Sequence, residues 1–499
     1  MQEVLEATEA TWAGTITSDE AMRDVIQSAR EQLRRDAGAG SPERRGDLDQ
    51  LIASLEPTKN AKARSTPAGS RDLDQIRDHL ASIRRGYLDR WCEHLAAAAV
   101  DEDEVELAAR LIVAHLIDEG LHRSHIHGWL TNLDDEATLL DVIQAARTML
   151  LEDARVFDFL VEVHRADADV VESFGDRWRD SDTFLNAFDD VGDTRATRPR
   201  AGAGAVSWTV VARDPHSAMA QLSAWKERVL ARVRIGFGET NKLEFGPVVL
   251  DVGGGRVRTH RAEQRRIRIP SIQRHRLFDA DATIGDQVDD ALGLLASHST
   301  NAYGPSIASV WAAAEGLLGR PGGRGVDVAD ALADIITCSF PRAEVNDLAR
   351  KWAKNGGDSL ARELRSERSS TRRAERMAES LGLGGPTFTE DADRAAAARY
   401  AEILRDPAGV LGRVRRYYRT TFRRLYYQRN FIMHAARFDS VTLAVASRTA
   451  PPLVAAGVDR IVNAIAAEGV RPLVLAARAR NEIALLGREG GRPIHALLE

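Results

Sequence analysis

The chain has 499 residues, enough for about three domains at roughly 150 residues apiece. Apolar residues at 44% and charged residues at 28% fit a soluble globular protein and exclude a wholly disordered one. Basic and acidic residues nearly cancel, 68 against 74, and the net charge of −6 excludes a uniformly basic nucleic-acid coat while leaving room for a local basic patch.

Two cysteines, Cys92 and Cys338, lie far apart in the chain, which excludes a disulfide framework and a four-thiolate zinc site. The first ten residues carry Glu3, Glu6 and Glu9 with no basic segment leading into an apolar core, so they do not read as a secretory signal. No stretch reaches the ~20 apolar residues of a membrane helix. The expectation is a cytoplasmic protein with no membrane partner.

In chain order, residues 1–190 read as a helical region. Residues 36–45 (DAGAGSPERR) and 57–70 (PTKNAKARSTPAGS) are small, polar and proline-bearing, which predicts loops or linkers. Ile76, Leu80, Ile83, Leu88 and Leu95 keep approximate helical spacing, as do residues 105–117 and 137–151. His115, Glu119 and His122 would share a helical face suited to zinc, but Gly120 interrupts them and HExxH is absent. That stretch reads better as a helix–Gly–helix corner.

Residues 193–205 form the clearest boundary. Beyond them 206–212 (VSWTVVA) is β-rich, Asp214 and Pro215 can cap and start a helix, and 245–252 (FGPVVLDV) reads as a strand. Residues 253–255 read as a turn and 256–269 as more strand, which together predict a small α+β module over 205–275. Arg256, Arg258, Arg261, Arg265, Arg266 and Arg268 make this end basic, either an extra RNA-contact surface or a charge-guarded strand edge.

Helical periodicity returns over 276–499, in segments 284–296, 307–318, 326–336, 343–352, 393–404, 410–436 and 472–486. Pro451 and Pro452 predict a further helix start, and residues 365–385 an exposed insertion. Asp279 and Asp281 form a DxD that could touch a metal but reads more simply as a helix start. The expected fold class is mainly α: a helical N-terminal region, a small α+β middle module and a C-terminal helical bundle. Neither glycine-rich stretch, 253–255 or 319–325, has a Walker or dinucleotide-binding form, and no cofactor or metal is expected.

The densest chemical signal is residues 413–434, RVRRYYRTTFRRLYYQRNFIMH, with seven arginines, four tyrosines and no acidic residue. Guanidinium groups match phosphate with a planar donor fork, and tyrosine rings can stack on unpaired bases. At 100° per residue, Arg416, Arg419, Arg423, Tyr427, Asn430 and His434 fall within about 60° of one line. That predicts a stripe of RNA-binding residues, Arg416, Arg419, Arg423 and Tyr427, ending at a histidine. Arg429 lies about 140° from His434 in an ideal helix, so it must reach round, or a kink or second chain must complete the site.

Residues 429–434 (RNFIMH) resemble the R-x4-6-H motif of the HEPN superfamily, and 309–318 (SVWAAAEGLL) resembles the glutamate-bearing helix of ApeA-like HEPN defence proteins. The resemblance covers about residues 280–490 and leaves the first 275 outside it. It implies a helical bundle that pairs with a second copy, within a possible larger assembly, and cuts RNA without metal. Arg429, Asn430 and His434 would then be catalytic, with Glu315 as an accessory. His434 would act as general acid–base, Arg429 would hold the scissile phosphate, and Asn430 would orient the pair. Products would carry a 2′,3′-cyclic phosphate and a 5′-OH.

The implied function is an endoribonuclease effector of bacterial antiphage defence or a toxin-like system, with RNA (tRNA among the candidates) as substrate. Residues 1–275 would sense an unidentified phage or cellular trigger or restrain the nuclease. The alternative is a non-catalytic RNA-binding or dimerisation scaffold. A third reading, a DNA-binding regulator, predicts salt-sensitive binding to duplex DNA.

Overall fold

Abundant alanine and apolar residues at helical spacing make most of the chain helical, with one small antiparallel sheet, as the periodicity predicts. The computed structural model describes residues 2–12, 19–56, 67–97, 102–134, 136–192, 198–199, 202–238, 241–259, 267–279, 284–296, 303–435, 440 and 442–498. The chain divides into two units, one of Met1–Thr8 and Val25–Gln264, the other of Glu9–Asp24 and Arg265–Glu499. No described helix is long and apolar enough to cross a membrane.

The chain opens with α1 (Gln2–Trp12) and α2 (Asp19–Arg35), and the first unit continues with α3 (Pro42–Ser54), α4 (Pro67–Arg84), α5 (Tyr87–Ala97), α6 (Glu102–Asp118), α7 (Arg123–Leu130) and α8 (Leu139–Leu151). Residues 36–45, expected as a loop, instead make a buried helical turn at Ala37–Ala39 and the start of α3. Gly38 explains the burial, since a Cβ there would collide with the rings of Tyr87 and Trp91. Residues 57–66 of the second predicted linker lie outside the described residues. The histidine-rich stretch does form a corner: Gly120 turns at φ +96°, and the His122 ring caps α7 by accepting the Ser124 N–H at 3.1 Å.

The sheet module follows as β1 (Arg155–Ala166), α9 (Ala168–Phe174), β2 (Trp178–Asp180), α10 (Ser181–Val191), β3 (Gly204–Ala212), α11 (Pro215–Phe237), β4 (Leu243–Asp251) and β5 (Arg256–Thr259). Strand order is β2-β3-β1-β4-β5, with every neighbouring pair antiparallel. The module therefore begins near residue 155, inside the region expected to be helical. Its central strand alternates Phe157, Phe159, Val161 and Val163 onto one buried face, a period-two pattern that the helical reading passed over. Helix α11 covers that face through Ala218 and Leu222, and α10 covers part of the other through Phe184 and Phe188. Asp214 caps α11 as predicted, accepting from His216 and Ser217. Of the predicted arginine strand, residues 260–266 lie outside the described residues, and Arg258 is paired with the buried Asp251.

The second unit is entirely helical among the described residues: α12 (Pro270–Arg274), α13 (Asp286–Ala296), α14 (Tyr303–Leu318), α15 (Gly325–Asn355), α16 (Ser359–Ser366), α17 (Ser370–Gly382), α18 (Asp391–Arg405), α19 (Pro407–Ala435), α20 (Leu443–Glu468) and α21 (Pro472–Ala484). Helix α15 is its axis, packed by α14 and by α16 to α21. It merges two predicted helices into 31 residues despite Pro341. The 365–385 segment is no exposed insertion, because α17 buries Ala374, Met377, Ala378 and Leu381. Pro451 and Pro452 sit inside α20 rather than at its start. Burial of Leu443, Ala446, Ala450 and Val454 outweighs the ~3 kcal/mol that a proline costs a helix interior.

Candidate functional site

Helix α19 is anchored by Phe422 and Leu425, both fully buried in the second unit, each worth about 2 kcal/mol of apolar burial. Tyr426 packs on the Trp311 ring at 5.0 Å and lies across the start of α15. The glycine at 325 is required there, since a Cβ would overlap the Tyr426 ring. Glu315, the predicted accessory residue, is half-buried and accepts the Trp311 indole N–H at 3.1 Å. Its visible role is to hold the tryptophan that seats Tyr426.

Arg429, Asn430 and His434 come together at the end of this helix. Arg429 Nη1 donates to Asn430 Oδ1 at 3.1 Å and meets His434 Nε2 at 3.4 Å. The long arginine side chain thus spans the 140° that an ideal helix puts between the two residues, within one chain. A guanidinium can only donate, so Nε2 is the accepting side of this contact. His434 is exposed, while Arg429 and Asn430 are half-buried. Among the described residues no carboxylate pairs with Arg429.

The predicted RNA-binding stripe is a different matter. Arg423 is 4% exposed and Tyr427 5%, which corrects the expectation that both face solvent. Their partners lie on α15 and α2. Asp330 accepts from Arg419 Nε at 3.1 Å, and takes Arg423 through Nε at 2.9 Å and Nη2 at 2.8 Å. Arg423 Nη1 also pairs with Asp24, and Nη2 reaches Glu20 at 3.4 Å. One turn along α15, the fully buried Asp334 accepts from Arg415 Nε at 2.6 Å, with Arg480 further off at 3.7 Å. Arg416 remains exposed.

The electrostatics follow from this burial. Desolvation works against the Arg423 charge, but the bonds to Asp330 and Asp24 more than reverse it and hold the guanidinium protonated more firmly than usual. Tyr427 is pushed well above the ordinary phenol range, first by burial and then by Asp24, so it acts only as a neutral donor. Burial raises the Asp334 carboxyl above its ordinary value, and Arg415 and Arg480 only partly offset this.

One positioning residue escaped the motif. Gln428 is buried, and its Nε2 donates to Ser440 Oγ at 2.9 Å and Thr442 Oγ1 at 2.6 Å. It ties the end of α19 to the start of α20, immediately beside Arg429. A polar residue among buried aromatics was the only sequence signal for it. The acidic partners on α15 had a clearer one: Asp330 and Asp334 stand four residues apart, on one face of an apolar helix. No family model, curated protein or solved structure matches this chain.

Proposed function

We propose that the chain is an HEPN-type endoribonuclease, acting in the cytoplasm as an effector of bacterial antiphage defence or of a toxin-like system. One observation carries the reading: a guanidinium without a carboxylate partner among the described residues meets an exposed imidazole at a helix end, beside a hydrogen-bonding asparagine. Such a pair suits transesterification at a ribose phosphate. With Arg429 turned from the imidazole to the phosphate, His434 Nε2 takes the proton of the 2′-OH, and the 2′-oxygen attacks phosphorus. The bond to the 5′-oxygen breaks, leaving a 2′,3′-cyclic phosphate. Arg429 neutralises the non-bridging oxygens as charge builds on them.

The departing 5′-oxygen needs a proton, and a second imidazole supplies it most directly. A homodimer would bring His434 of the second copy to the same cleft, in the isologous arrangement that two-fold pairing produces. Asn430 holds the Arg429 fork in plane. The reaction as written needs no metal or cofactor.

The test is incubation of purified protein with total RNA and with tRNA, in EDTA, beside His434→Ala and Arg429→Ala. Cleavage to cyclic-phosphate ends that both substitutions abolish supports the reading. RNA binding without cleavage, unchanged by His434→Ala, would assign a scaffold role instead.

A further inference from the structure

We propose that the start of α2 restrains substrate binding, the carboxylates of Glu20 and Asp24 occupying on Arg423, Arg324 and Tyr427 the places that RNA backbone phosphates take when the helix start withdraws. The inference rests on the ribonuclease reading above and adds a means of regulation to it.

Arg423 presents two edges. Asp330 grips one by accepting from Nε at 2.9 Å and Nη2 at 2.8 Å, which fixes the plane of the fork. The other edge is turned to α2, where Asp24 takes Nη1 and Glu20 approaches Nη2 at 3.4 Å. The second oxygen of Glu20 accepts from Arg324 Nη1 at 3.0 Å, and Tyr427 donates its hydroxyl to Asp24 Oδ2 at 3.4 Å. Two carboxylates four residues apart on one helix face are therefore held by two guanidiniums and a phenol. A phosphodiester offers oxygens of the same charge to the same planar forks.

The contact is weakest at its Glu20 end. Side-chain exposure is 33% at Glu20 and 67% at Arg324, and an ion pair so placed contributes about 0–1 kcal/mol. Asp24, 29% exposed against an Arg423 that is 5% exposed, forms the firmer part of the restraint. When the acids leave, the Asp330 grip keeps the Arg423 fork in position. Arg423 lies six residues before Arg429, about 9 Å along the helix, so a strand cut at Arg429 and His434 could reach it with a nearby phosphate. Asp24 is also the last residue of α2 grouped with the second unit, while residues 25–35 of that helix belong to the first. The restraint is thus covalently continuous with the region assigned to sensing.

The experiment uses the full chain carrying His434→Ala, so that RNA stays intact, and measures binding of a labelled single-stranded RNA at several salt concentrations. Adding Glu20→Gln and Asp24→Asn should tighten binding about tenfold and steepen the log–log salt dependence by about one phosphate contact. Arg324→Ala on top should remove part of that gain. The same pair of changes in the otherwise native chain should raise cleavage severalfold. If melting shows the double variant unfolded, Glu20→Gln alone, at the more exposed site, carries the test with about threefold tightening. A parent that binds RNA with unchanged affinity and salt slope in the folded variants overturns the restraint and leaves the nuclease reading standing. Absence of RNA binding and cleavage in parent and variants alike overturns both.

Discussion

Arg415, Arg419 and Arg423 in the first part of α19 and Arg429 near its end are the same side chain on the same helix, yet their surroundings divide them. The first three face Asp334 and Asp330 of α15, and Arg423 is additionally enclosed by Asp24. Arg429 instead reaches Asn430 and the exposed His434. In the packed state a row of arginines is thus tied to carboxylates over most of its length and leaves a candidate reactive group only at its end. Carboxylates spaced on a neighbouring helix decide which is which.

Substitutions should separate the two parts sharply. His434→Ala or Arg429→Ala is expected to reduce RNA cleavage by at least about a hundredfold, as loss of an acid–base group does, with unfolding free energy within about 0.5 kcal/mol of the parent. Arg423→Ala should instead act first on stability, costing about 3 kcal/mol in urea unfolding because Asp330 and Asp24 lose a buried partner. Equal stability losses from Arg429→Ala and Arg423→Ala would erase the contrast.

Gln428→Ala falls between them. It strips the bonds to Ser440 and Thr442 while leaving every proposed catalytic group in place, so about 1–2 kcal/mol of stability and about tenfold of cleavage should go together. The smallest effect is a pH dependence at Asp334. Its folded carboxyl has a raised pKa, so the native state keeps a proton that the unfolded chain has already released. The stability this contributes is full below the unfolded pKa and fades as pH rises through the folded one. Parallel urea titrations should therefore show the native chain losing ground to Asp334→Asn as pH rises from about 4 towards neutrality. A difference that stays flat or grows the other way would mean that Arg415 and Arg480 dominate the burial.

Helical periodicity made most of the second unit legible, because apolar residues at a 3.6 spacing report local geometry and burial together. The same periodicity does not report β1, where Phe157, Phe159, Val161 and Val163 alternate within a stretch preceded by helices. Local signals also place the start of α20 too late, at Pro451 instead of Leu443, since packing overrides the prolines at 451 and 452. At the candidate site, the short spacing between Arg429 and His434 was readable from the chain. The support from Gln428 was not, since its partners Ser440 and Thr442 lie beyond the end of α19, and Glu315 beside Trp311 gains its role only because Tyr426 of α19 packs on that ring.

Order along the chain was enough to specify a mainly helical protein with a small sheet, and to single out a basic helix ending in Arg429, Asn430 and His434. Which of those arginines keeps a charge to spend on a ligand was settled only by folding. Charge is balanced through space, and the acids that neutralise Arg415, Arg419 and Arg423 come from about 80 to 400 residues away in the chain. Local composition cannot register such partners, and the low-dielectric contact that makes them matter exists only once α15, α19 and the start of α2 have packed together.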